Sequence, residues 1–200
     1  MRTLLLAACG LTLAACDAAS DALGLDEADM GPAEVVLPQP DDQTIGELTP
    51  ADNTAICEAF SAAVDRQVPH ATRCAIVGIG VAGADVEADD AAQIAACTDA
   101  AHRCEQLVAL GQQSLPPITF ADCGLLKGDT SDCTVTIGEL RACLNLMADA
   151  SVGAIRQTLT CQLLDLAEVP SVDPPPPEIP EGAEECTRIR MECPGVFAEE

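Results

Sequence analysis

Cysteine is the residue in this 200-residue chain with the most chemistry to offer, and there are 12 of them. Ten lie beyond residue 50: Cys57, Cys74, Cys97, Cys104, Cys123, Cys133, Cys143, Cys161, Cys186 and Cys193. Three chemistries use such a set. Structural zinc takes thiolates in pairs separated by two to four residues. Thiol redox enzymes place two cysteines around two intervening residues. Extracytoplasmic domains pair them in disulfides, and the even number fits that use. The tightest spacings here leave six and nine intervening residues, so zinc and C-x-x-C redox chemistry both lose ground to a frame of five disulfides. Pairing order does not follow from spacing. One limit does: Cys97 and Cys104, seven apart on one helix, stand about 10 Å from each other. A disulfide needs Cα atoms within about 7 Å, so each must bond another element.

Other candidate groups are sparse. His70 and His102 are the only histidines. His102 lies two residues before Cys104, a conceivable Cys–His nucleophile pair, but a disulfide at Cys104 removes the thiolate. Neither H-E-x-x-H nor G-x-S-x-G occurs. Gly78-Ile79-Gly80-Val81-Ala82-Gly83 spells G-x-G-x-x-G. In a dinucleotide site that pattern turns from a strand into a helix whose N-terminus receives pyrophosphate. Here an acidic connector, Ala84 to Asp90, follows instead of a helix. A close-packed, glycine-rich core segment is the expected reading. Asp85, Glu87, Asp89 and Asp90 offer oxygen ligands for Ca²⁺, but EF-hand spacing is missing. Asp129 and Asp132 repeat that signal more weakly. No catalytic residue, metal site or cofactor is expected.

Charge and composition narrow the partners. Asp and Glu number 33 against 9 Lys and Arg, a formal charge of −24. Nucleic acid, which needs a basic patch, is excluded as a partner, as is adsorption on an anionic bilayer by charge. The acidity reads first as solubility and self-repulsion; recruitment of a basic protein partner at the envelope, or of cations, is the sharper alternative. Phe60, Phe120 and Phe197 are the only aromatics, which weakens base stacking and many pocket designs.

The positioning elements follow from pattern. Residues 17–43 are acidic and interrupted by Gly31, Pro32, Pro38 and Pro40, as in a tether. A flexible chain of that length spans roughly 30 Å. Thr49 as N-cap and Pro50 at the first helical position start a helix expected to reach about residue 66, with Ile56, Phe60 and Val64 on one face. The apolar run 73–83 fits a helix with Cys74, Val77 and Val81 on one face, or a buried strand. Asp89 and Asp90 cap a helix running to about Leu110 and closed by Gly111. Its stripe of Ile94, Cys97, Ala101, Cys104 and Val108 puts both cysteines on the buried seam.

Thr136 and Glu139 form a capping box. Leu140, Cys143, Leu144 and Met147 then make a helix face. A break is expected near Ser151-Val152-Gly153, with a second helix to about Leu166, so that 136–166 reads as a hairpin. The pentapeptide Thr-Ile-Gly-Glu-Leu occurs at 44–48 and at 136–140; two independent capping boxes account for it more cheaply than duplication. Six prolines in 170–182 read as an extended spacer. Residues 183–200 form a tail whose Cys186 and Cys193 bond each other or the domain.

The N-terminus carries a different signal. Arg2 precedes an uncharged apolar run from Leu4 to Ala15, too short for the roughly 20 residues that span a bilayer. It ends Leu13-Ala14-Ala15-Cys16, which resembles the lipobox of bacterial lipoproteins. The same letters at Leu6 to Cys9 leave too short an apolar stretch. The resemblance implies cleavage by signal peptidase II, lipid on the Cys16 thiol and acylation of the new amino terminus. It implies a chain anchored to the inner or outer membrane of the cell envelope. The acidic tether and scattered cysteines around short helices also resemble uncharacterised cysteine-rich lipoproteins of myxobacteria-like bacteria, a group that lends no activity.

The expected organisation is therefore a signal peptide over 1–15, a lipidated tether over 16–43, an all-α, disulfide-stapled bundle over 44–166, a Pro-rich spacer over 167–182 and a C-terminal segment over 183–200. Its expected role is a non-enzymatic binding or scaffolding module. The alternative is a metal-binding or thiol-dependent enzyme of the envelope.

Overall fold

The computed structural model describes residues 31–83, 90–120, 123, 126, 128–163 and 177–197. These residues build an all-α domain of five helices: α1 (Pro50–Gln67), α2 (His70–Ala82), α3 (Asp90–Ala109), α4 (Ile137–Thr158) and α5 (Glu184–Glu192). Single 3-10 turns stand at Ile45–Glu47 and Cys161–Leu163. The two pairs α2–α3 and α4–α5 pack against each other, and α1 lies on α4.

Local chemistry sets the helix ends. The Thr49 hydroxyl accepts from the Asp52 N–H, while the Thr49 N–H donates to the Asp52 carboxylate at 2.8 Å. At the other end Pro69 disfavours helical backbone at the preceding residue, and Val68 is extended (φ −77°, ψ 120°). The chain turns there and α2 starts at His70. Gly111 (φ +65°) closes α3: the Gly111 N–H donates to Val108 O and the Gln112 N–H to Leu107 O, both at 2.9 Å.

The apolar segment 73–83 is helical. Its buried face is Cys74, Gly78, Ile79 and Ala82, not the expected Cys74, Val77 and Val81; Val81 is 52% exposed. Gly78 lets α2 come close enough to α3 to rotate the face this way.

The expected hairpin over 136–166 is instead one continuous helix through residue 158. The buried stripe Leu140, Cys143, Leu144, Met147, Ala148, Ser151, Val152 and Ile155 runs through the expected break without interruption. The propensity cost of Gly153, roughly 1 kcal/mol, is too small to break a helix whose apolar face continues on both sides. Residues 164–166 lie outside the described residues.

The folded body also begins earlier than expected. Ala33, Val35, Leu37 and Gln39 are buried, while the residues between them are exposed. This is the period-two pattern of an extended segment lying on a core. The Ala33 N–H donates to Asp149 at 2.7 Å, the Val35 N–H to Asn145 at 2.8 Å, and Arg66 donates to Glu34 O at 2.8 Å. So 33–43, read as the end of the tether, is a strap clamped between α1 and α4. Likewise α5 in the C-terminal segment buries Cys186 and Ile189, and Ile179 at the end of the expected spacer packs on the same core. Residues 16–30 and 167–176 lie outside the described residues.

Candidate functional site

All ten cysteines beyond residue 50 pair, in the order Cys57–Cys123, Cys74–Cys104, Cys97–Cys161, Cys133–Cys193 and Cys143–Cys186. Their Cα separations run from 5.0 to 5.7 Å, inside the range a disulfide needs. Helical periodicity positions them. Cys97 and Cys104 share the seam of α3: one bonds the turn at Cys161, the other bonds Cys74 on α2. Neither bonds the other, as the rise of the helix requires. Cys143, on the buried face of α4, takes Cys186 of α5, and Cys193 just past α5 takes Cys133 just before α4. The tail is thus bonded to the domain and not to itself.

The other sequence candidates do not converge. His70 is exposed at the start of α2. The side chain of His102 is 70% exposed and faces Glu105 at 3.5 Å, while its neighbour Cys104 is held by Cys74. Gly78 and Gly80 lie within α2 and Gly83 at its C-cap, so the G-x-G-x-x-G glycines build helix packing rather than a phosphate loop. A Cβ on Gly78 would fall 2.4 Å from Cys97 O. Asp90 sits in the first turn of α3; Asp85, Glu87 and Asp89 lie outside the described residues. Asp129 accepts from the Ser131 N–H at 3.0 Å, an ordinary turn contact. Among the described residues no three His, Cys, Asp or Glu side chains cluster as metal ligands would. Nor is any described helix long and apolar enough to cross a membrane.

Electrostatics concentrate at helix caps. The Thr136 N–H donates to the Glu139 carboxylate at 2.9 Å, and Arg188 of α5 binds the same carboxylate. The backbone bond from Thr136, followed by the bond from Arg188, holds the Glu139 carboxyl below its ordinary value. At Asp52 the Thr49 hydroxyl, with the Gln39 amide next, has the same effect. Arg141 grips Asp41 through two bonds of 2.6 Å, tying the strap to α4 near its N-terminus. These groups are spent on structure.

Among the described residues a shallow, open groove lies beside α1. The stretch 117–120 runs beside α1, and the groove between them has a volume of about 300 Å³. Cys57, Glu58, Asp65 and Phe120 contribute to its lining. Asp65 organises the far end: its carboxylate accepts from the Ile118 N–H at 2.7 Å and pairs with Arg73 at 3.1 Å. Phe120 packs on Phe60, with ring centroids 5.4 Å apart. Sequence reasoning missed this groove because the residues that build it come from a helix and from a loop about sixty residues later. Cys57, next in sequence to Ile56 but off the Ile56–Phe60–Val64 face, is the local signal that could have pointed to it.

Searches for a matching protein family, a similar curated protein and a similar solved structure each found none.

Proposed function

We propose that this chain is a lipid-anchored cell-envelope protein that binds or scaffolds without catalysing a reaction. In this reading Cys16 carries the lipid and residues beyond the signal segment lead to the helical domain. The observation that carries it is the complete pairing of the ten downstream cysteines. Disulfide frames persist in oxidising compartments, which agrees with export through the segment ending at Cys16. The pairing also weighs against the alternative of a metal-binding or thiol-dependent enzyme, because zinc coordination and nucleophilic catalysis both use thiolates. With a formal charge of −24, the partner class favoured is a basic protein at the envelope.

Fractionation of cells carrying the wild-type chain and the Cys16→Ser variant tests the anchorage. Wild type belongs in the detergent-extracted membrane fraction. The variant should leave that fraction; equal partitioning of the two would contradict lipid attachment at this residue.

A further inference from the structure

The five disulfides differ in access. Nine of the ten cysteines are buried. Cys57 is the exception: it is half-buried and lines the groove between α1 and 117–120. Its partner Cys123 is 5% exposed. Attack on a disulfide requires a thiolate to reach one sulfur in line with the other. Cys57 lines the groove and is the least buried of the ten cysteines, so a small thiol has its readiest access there. Exposed Glu58 gives the approach its acidity, while Asp65 at the far end is paired with Arg73.

We infer that Cys57–Cys123 is a thiol–disulfide exchange site, open to a neutral or cationic dithiol. One thiolate of the dithiol bonds Cys57 Sγ, the Cys57–Cys123 bond breaks, and Cys123 leaves as a thiolate. The second thiol of the reagent then attacks its own sulfur in the mixed disulfide, and Cys57 leaves. Two electrons pass to the protein, the two thiol protons end on Cys57 and Cys123, and the reagent departs as a disulfide. The 117–120 wall of the groove then rests on non-covalent contacts alone. These include the bonds Ile118 N–H to Asp65 and Phe120 N–H to Ser61 and the Phe60–Phe120 ring contact. Four disulfides still hold the rest of the domain.

The test is limited reduction of the full oxidised chain with dithiothreitol, with iodoacetamide trapping and peptide mass mapping over time. Cys57 and Cys123 should be labelled together, about tenfold ahead of the other eight, since exchange rate follows access. Helical circular dichroism should persist during that phase. Two monothiols of opposite charge, cysteamine and 2-mercaptoethanesulfonate, compared at equal thiolate concentration, should differ in favour of the cation, and added salt should narrow the difference. The double variant Cys57→Ser with Cys123→Ser should lack the fast phase. If that variant does not fold, the wild-type map decides alone. First labelling at any other pair, simultaneous labelling of all ten, or faster attack by the anionic thiol would overturn the inference.

Discussion

Thr44 and Thr136 face each other across an antiparallel bridge, and each opens a copy of Thr-Ile-Gly-Glu-Leu. The hydrogen bonds around them obey a local two-fold. Ile45 N–H donates to Val135 O and Ile137 N–H to Gln43 O, both at 2.9 Å. Gly46 N–H donates to Cys133 O at 3.1 Å and Gly138 N–H to Asp41 O at 3.0 Å. Each threonine N–H is capped by the glutamate three residues on, and both isoleucines are fully buried. The symmetry ends there. The first copy makes one 3-10 turn before a separate cap at Thr49 starts α1; the second runs straight into α4.

The two-fold is unequal at its glycines. A Cβ on Gly46 would meet Ser131 O at 2.7 Å and Cys133 O at 2.9 Å, both backbone atoms. On Gly138 the nearest atoms are Asp41 Cβ and O at 3.4 Å. Gly46→Ala should therefore cost about 1–3 kcal/mol, the usual range for overpacking. Gly138→Ala, in the first turn of a helix, should stay within about 0.5 kcal/mol of wild type. Denaturant unfolding of the two variants side by side checks the ordering.

Gly78 and Gly80 make a second contrast within α2. Gly78→Ala drives a methyl into the Cys97 backbone and should destabilise by about 2–3 kcal/mol. Gly80 is exposed with nothing within 4 Å of a Cβ, so Gly80→Ala should stabilise by about 0.5–1 kcal/mol. Melting temperatures moving in opposite directions would verify that the glycines serve helix packing. A nucleotide loop would lose by both changes.

Glu139 gives the domain a pH dependence of known sign. Its carboxyl is depressed in the folded state by Thr136 and Arg188. A depressed acid contributes stability above its unfolded value, near 4.5, and that contribution is lost as pH falls through the folded value. Asp52 and Asp129 are shifted the same way from 3.8. Thermal stability should be flat in its carboxylate contribution from pH 7 to about 5.5 and should decline below about 4.5. Glu139→Gln should lower stability at neutral pH and flatten part of that acid limb; an unchanged pH profile in the variant would contradict the assignment.

Full reduction should unfold the domain cooperatively. Disulfides contribute roughly 2–4 kcal/mol each, and the nine-residue α5 is tied at both ends by Cys186 and Cys193. Helices of that length are marginal alone in water. Circular dichroism after complete reduction and alkylation should lose most helical signal in one transition, and 184–192 should become a substrate for proteolysis. Helicity that survives unchanged would show that the crosslinks are dispensable.

Much of this fold was legible because the cues were local. Thr49-Pro50, Thr136 with Glu139, and Gly111 each act within one turn, and the stripe on α3 needed only 3.6-residue periodicity. What escaped depended on distant partners. Alternation at Ala33, Val35 and Leu37 was hidden among prolines and acids, and its hydrogen-bond acceptors, Asn145 and Asp149, lie more than 100 residues away. The continuity of α4 through Gly153 was decided by the core it packs on. Cysteine connectivity, and with it the half-buried position of Cys57, likewise rests on tertiary contacts that no spacing rule contains.

The central claim is a lipid-held chain whose ten remaining cysteines are all disulfide-bonded. Intact mass of the membrane-extracted protein, alkylated with and without prior reduction, tests it most directly. The account predicts a chain beginning at an acylated Cys16 that takes no alkyl groups before reduction and ten after it. An unmodified Cys16, or alkylation of any of the ten without prior reduction, would contradict it.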